Sequence, residues 1–198
     1  MNKNTGYTIR FFIFLLLIIP IFLNVFLKFF FIREINLFII LILIFGFVVL
    51  FILGKIIEIY GYNVETVHII EKHDVIKSFI KSNNKLIRWL EFLLIMITEE
   101  LIFRYYLIGI FFNLLHLEIL VAIIISSLIF SFYHIHTWFS YKNVRIVAIF
   151  LFYSFFLGLY NGYLLLTLGI IPCIFVHYTL AYILYYGIFV RYFKRSSN

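Results

Sequence analysis

Glu99, Glu100 and Arg104 stand together in TEELIFR, inside the otherwise apolar stretch WLEFLLIMITEELIFRYYLIGIFF, while His134 closes FSFYH and His177 closes IPCIFVH. A carboxylate and an imidazole held near one another can take a proton from water and return it to a leaving group, which is the chemistry of hydrolysis. Each charged side chain in the middle of a lipid-crossing helix costs about 2.5 to 3.5 kcal/mol even on the most lenient insertion scale, so its default reading is a functional site.

Helical geometry sorts these residues. Glu100 and Arg104 are four apart and share a face, so they can pair and offset part of each other's desolvation. Glu99 lies about 100° further round and has no partner in its own span, so it must look to another helix. Trp89 marks an interface, and at 1.5 Å per residue Glu99 lies roughly 15 Å deeper, near the midplane. Phe130 and His134 share a face, whereas His136 points nearly opposite. Counted from Leu168, His177 is about 13 Å deep, close to the depth of Glu99. A cluster of Glu99, His134 and His177, in a cavity opening inward, is expected.

The elements that must position them are transmembrane helices. The 198 residues are 65% hydrophobic and 22% aromatic, with a mean hydropathy of +1.12, more apolar surface than one water-soluble core of this size buries. Apolar runs cover about 11–32, 36–57, 87–112, 118–135, 146–165 and 168–190, each near the roughly 20 residues needed to cross a bilayer. The first is too long for a signal-peptide core and has no small-residue cleavage pattern. The reading is an all-α polytopic membrane bundle of about six helices, one domain over 1–198, with its polar motifs in 87–190.

Thirteen Lys and Arg fall on the side that would hold both termini, from Lys3 and Arg10 through 55–88 and Lys142 to Arg195, against Lys28 and Arg33 opposite. That bias places both ends in the cytoplasm. The net charge of +7 therefore speaks of the inner leaflet, and no nucleic-acid motif competes with it. Lys77, Lys81, Lys85 and Arg88, against a stripe of Val75, Ile76, Phe79, Ile80, Leu86 and Ile87, suit an amphipathic helix on anionic lipid or a solvated basic loop. Cys173 is the single cysteine, Gly158 and Gly162 form a small-residue face for close packing, and Pro20 and Pro172 mark kinks. The wealth of Phe, Ile, Tyr, Asn and Lys hints at an AT-rich bacterial source.

In that order and on separate apolar spans, EELIFR, FSFYH and IPCIFVH resemble the CAAX-protease and bacteriocin-processing (CPBP, or Abi) family of intramembrane proteases, which includes the CAAX prenyl endopeptidases. The resemblance covers about 90–190. It implies proteolysis by a water activated between Glu99 as base and His134, with His177 donating to the oxyanion, and Glu100, Arg104 and Phe130 supporting the site. The substrate it implies is a membrane-associated peptide or protein. The family's last motif reads HxxxN or HxxxD, and here the fourth residue after His177 is Ala181. Either His177 suffices, or Asn161 or Thr179 supplies the donor, or the chain is a weakened relative such as a bacteriocin self-immunity protein.

Two Glu and two His are also possible ligands for a divalent metal such as zinc, with Glu99, His134 and His177 as the set. Without HExxH or a sulfur ligand, the metal-free glutamate mechanism is the preferred expectation, with no cofactor. A transporter using the same residues as a proton relay would show paired helix interruptions or internal symmetry, and the sequence has neither.

Overall fold

The computed structural model describes residues 3–31, 35–71, 76 and 85–194. Among them there is no strand, and the chain forms a helical membrane bundle. Helices α1 (Lys3–Phe22), α2 (Leu37–Ile56) and α3 (Val64–Ile70) precede α4 (Lys85–Glu100). A π-helical segment, Leu101–Tyr106, joins α4 to α5 (Leu107–Asn113), making one long rod. Then come α6 (Ile119–Tyr133), α7 (Thr137–Tyr141), α8 (Val144–Leu168) and α9 (Ile170–Phe189).

Among the described residues four helices are long and apolar enough to cross a membrane: Leu37–Gly61, Ile119–Tyr141, Val144–Leu168 and Ile170–Phe193. The rod through 85–113 is long enough, but its Glu, Lys and Arg residues set it apart from that group. The first span differs from the expected 11–32, because α1 ends at Phe22. Asn24 takes φ 64°, and the Val25 and Asn24 amides donate to the carbonyls of Pro20 (2.9 Å) and Ile21 (3.0 Å). This is a Schellman stop with asparagine in the left-handed position. The basic stretch around Lys77, Lys81 and Arg88 lies largely outside the described residues.

The bundle exposes large apolar side chains and buries several polar ones. Phe12, Phe22, Phe38, Phe45, Phe139 and Phe175 are exposed, whereas Glu99, Glu100, Arg104, Ser126, Asn161 and His177 are buried. That inversion suits a lipid solvent, which offers no partner for a polar group. Two apolar clusters fill the interior, one containing Met96, Leu157 and Leu180, the other Leu101, Leu164 and Cys173. Glu99 and Glu100 lie between Met96 and Leu101, Asn161 between Leu157 and Leu164, and His177 between Cys173 and Leu180. The polar residues thus form a belt where the two cores meet.

Close packing of α6 on α8 fixes this belt. A Cβ on Gly158 would lie 2.9 Å from Ser127 Cβ and 3.1 Å from its Cα, so only glycine lets the helices approach so nearly. Gly169 turns α8 into α9 at φ 80°, with the carbonyls of Phe30 and Phe31 where a Cβ would stand. Side-chain hydroxyls add cross-links: Ser131 donates to the Leu151 carbonyl at 2.7 Å, Tyr105 to that of Val25 at 2.8 Å, and Tyr106 to that of Leu17.

Candidate active site

The two carboxylates end α4 just before the π segment. A π turn carries one extra residue and leaves part of the backbone unpaired, and such turns concentrate at functional sites. Ser126 of α6 donates to the Phe103 carbonyl inside this segment, which explains a fully buried serine. Arg104, also in the segment, reaches back with Nε 3.4 Å from Glu100 Oε2, both side chains fully buried. Its guanidinium carbon lies 4.0 Å from the centre of the Phe130 ring, which supplies a π face to a cation in a dry interior.

Glu100 also accepts a hydrogen bond from His177 Nδ1 at 2.7 Å, and Asn161 lies beside it. Asn161 donates to the Cys173 carbonyl at 3.1 Å, which ties α8 to α9 beside His177. Because Nδ1 is committed to Glu100, His177 turns its Nε2 the other way, to 3.9 Å from Glu99 Oε2. That Glu99 oxygen is buried and has no hydrogen-bond partner among the described residues. The opposite charges of the Glu100 carboxylate and the Arg104 guanidinium thus balance beside Glu99 and His177. In a low-dielectric interior this balance is worth far more than on a wet surface.

Glu99 and His177 open on a cavity of about 790 Å³, and Glu100 and Arg104 lie behind them, outside its wall. His134, Phe130, Ala181 and Ser154 line it too, with Tyr62, Tyr141, Tyr153 and Tyr185. His134 sits in a 3-10 turn that follows α6, where its Nδ1 donates to the Phe130 carbonyl at 2.9 Å. A carbonyl can only accept, so Nδ1 carries the hydrogen and Nε2 is left as the acceptor. Phe130 holds both imidazoles edge-on, with ring centres 4.8 Å from His134 and 5.7 Å from His177.

The geometry therefore brings Glu99, Glu100, Arg104, Phe130 and His177 into one group, with His134 on the same cavity. The direct partner of Glu99 is His177 and not His134; among the described residues no hydrogen bond joins Glu99 to His134. Asn161 and Thr179, weighed above as donors in place of a residue at 181, do not line the cavity. Among the described residues no three His, Cys, Asp or Glu side chains come together as a metal-ligand set. Sequence reasoning passed over the cavity's tyrosines. Tyr185 alone carried a signal, two turns past His177 on the same helix.

Residues 82–183 match the family described as type II CAAX prenyl endopeptidase, Rce1-like. The chain belongs to this family. No curated protein and no solved structure matches it. Membership in the Rce1-like family makes a CAAX-type intramembrane protease the kind of function this chain has. The matched stretch holds the whole belt, from Glu99 on α4 to His177 on α9, together with Ala181.

Proposed function

We propose that this Rce1-like chain is an endopeptidase that hydrolyses a peptide bond of a membrane-associated peptide or protein, using a water activated by Glu99 without a metal. The observation that carries this reading is the buried, unpartnered Glu99 oxygen facing a cavity, 3.9 Å from His177 Nε2. Burying a carboxylate without a full set of partners is costly, and chemistry on the cavity side gives that cost a use.

Each group has one task. Glu99 takes a proton from water as the water oxygen bonds to the scissile carbonyl carbon, and the carbonyl π pair moves onto oxygen. His134, with Nε2 as acceptor, orients that water through its second hydrogen. His177, held through Nδ1 by Glu100, donates Nε2–H to the oxyanion. The tetrahedral intermediate re-forms its carbonyl, the carbon–nitrogen bond breaks, and the departing amine takes its proton from Glu99. The products are one carboxylate and one amine. Glu100, Arg104 and Phe130 position His177 without touching substrate.

The charge bias of the loops supports a cell-membrane location with both termini in the cytoplasm and anionic lipid against the basic face. The composition supports a bacterial source. Ala181, a methyl where the family motif has a donor, favours one second reading: a non-catalytic self-immunity or binding protein of the same fold. Purified protein in lipid vesicles, given membrane peptides in ¹⁸O-labelled water, separates the two. Cleavage with label in the new carboxylate, unchanged by prolonged chelation, is expected. No cleavage would favour the binding protein, and loss on chelation with recovery on added zinc would overturn the metal-free reaction.

A further inference from the structure

The cavity has a closed back and an open front. Its wall residues on α8 and α9 are buried or half-buried, whereas Arg10, Ile13, Ile102, Tyr133, His136 and Ser140 are exposed. The mouth therefore runs between α1 and the rod on one side and the α6–α7 corner on the other. On this rim Arg10 of α1 forms an ion pair with Glu91 of α4, and both side chains keep some exposure. Glu91 stands eight residues before Glu99, about 12 Å away along the helix.

The two ends of α1 are held differently. Leu17, Ile18 and Ile21 pack on the apolar cluster around Leu101 and Leu164, and Tyr106 donates to the Leu17 carbonyl. Every residue from 8 to 13 is exposed. In lipid an apolar side chain that leaves a neighbouring helix meets hydrocarbon of like polarity, so little resists its movement. A polar tie then decides where such a segment rests, and Arg10 supplies one to Glu91.

We propose that the 8–13 end of α1 is a gate on the cavity mouth, latched by Arg10 to Glu91, which swings about the Leu17 anchor to admit a membrane peptide. The inference takes the cavity as the place of reaction, as in the reading above. A guanidinium gives the latch both charge and several donors, and the exposure of the pair lets it break without stranding either charge in hydrocarbon.

The test uses the full chain in lipid vesicles carrying Thr98→Cys, a cavity-wall position outside the reacting group, while Cys173 is buried. Two maleimides are compared, a small one and one borne by a membrane peptide. Arg10→Gln is expected to raise labelling by the peptide reagent about three- to twentyfold, the range that polar contacts between membrane helices span. Arg10→Lys, which keeps the charge, stays near wild type, and the small reagent labels all three alike. In a second arm, without the change at 98, Arg10→Cys and Glu91→Cys are joined by a reducible bridge about 10 Å long, near the usual separation of packed helix axes. Cleavage of a membrane peptide should fall by about tenfold or more while the bridge stands and return on reduction. Peptide labelling unchanged in Arg10→Gln overturns the proposal. So does a rise shared by the small reagent, an Arg10→Lys that labels like Arg10→Gln, or cleavage that ignores the bridge. Failure of wild type to cleave any peptide refutes hydrolysis itself, and the labelling still reads the gate.

Discussion

Glu100→Gln is the substitution whose consequences the geometry defines most closely. Glu100 is fully buried, pairs with Arg104 at 3.4 Å and accepts from His177 at 2.7 Å. Glutamine fits the same space and still offers an oxygen to His177, so the change removes a charge and little else. Arg104 is then a buried guanidinium that has lost its paired carboxylate, which costs about 3 to 5 kcal/mol. At about 2 to 4 °C per kcal/mol for a chain of this size, the melting temperature should fall by about 6 to 20 °C. Adding Arg104→Met removes the stranded charge and should restore most of that stability, so the two substitutions are strongly non-additive in the double-mutant cycle. Activity should not return with it, because His177 has lost the charged acceptor that holds its Nδ1. Thermal unfolding in one detergent, followed by intrinsic fluorescence, reads the first effect, and cleavage rate reads the second. A melting curve unchanged in Glu100→Gln, or one no better in the double variant, would refute the bracing account.

Phe130→Leu should lower both stability, by about 0.5 to 2 kcal/mol, and cleavage rate, since it removes the ring facing Arg104 and the edge contacts to both imidazoles; unfolding and kinetics on one preparation check this. Gly158→Ala should destabilise by about 1 to 3 kcal/mol, because the new methyl meets Ser127 backbone that cannot swing away, and thermal unfolding measures it. Asn24→Val should loosen the end of α1, where the left-handed turn is costly for a β-branched residue, and amide exchange of Asn24 and Val25 should rise while that of α8 stays unchanged.

Helix existence was legible because lipid-crossing length and apolar runs are written directly in the sequence: α8 and α9 fall within a few residues of the expected limits. The Glu100–Arg104 pair was legible too, since four-residue spacing survives into the structure even through the π segment. Less was visible where one residue outweighs its neighbours. Asn24 ends α1 inside a run that hydropathy continues to about residue 32. The π segment has no periodic signature of its own, yet it re-aims everything after Leu101. Depth along each helix placed Glu99 level with His177, but depth says nothing of rotation between helices. For that reason the choice of His177 over His134 as the nearer partner of Glu99 had to await the packing.

If Glu99 is the base, Glu99→Gln removes the reaction and leaves the fold. The substitution keeps the shape and hydrogen-bonding reach of the side chain but cannot take a proton from water. The measurement is the single-turnover cleavage rate of a vesicle-bound peptide by equal amounts of correctly inserted wild type and variant. Wild-type expression, insertion and peptide binding are expected, with cleavage lowered by about a hundred- to ten-thousandfold, as for loss of a general base. Cleavage by Glu99→Gln at the wild-type rate would contradict it.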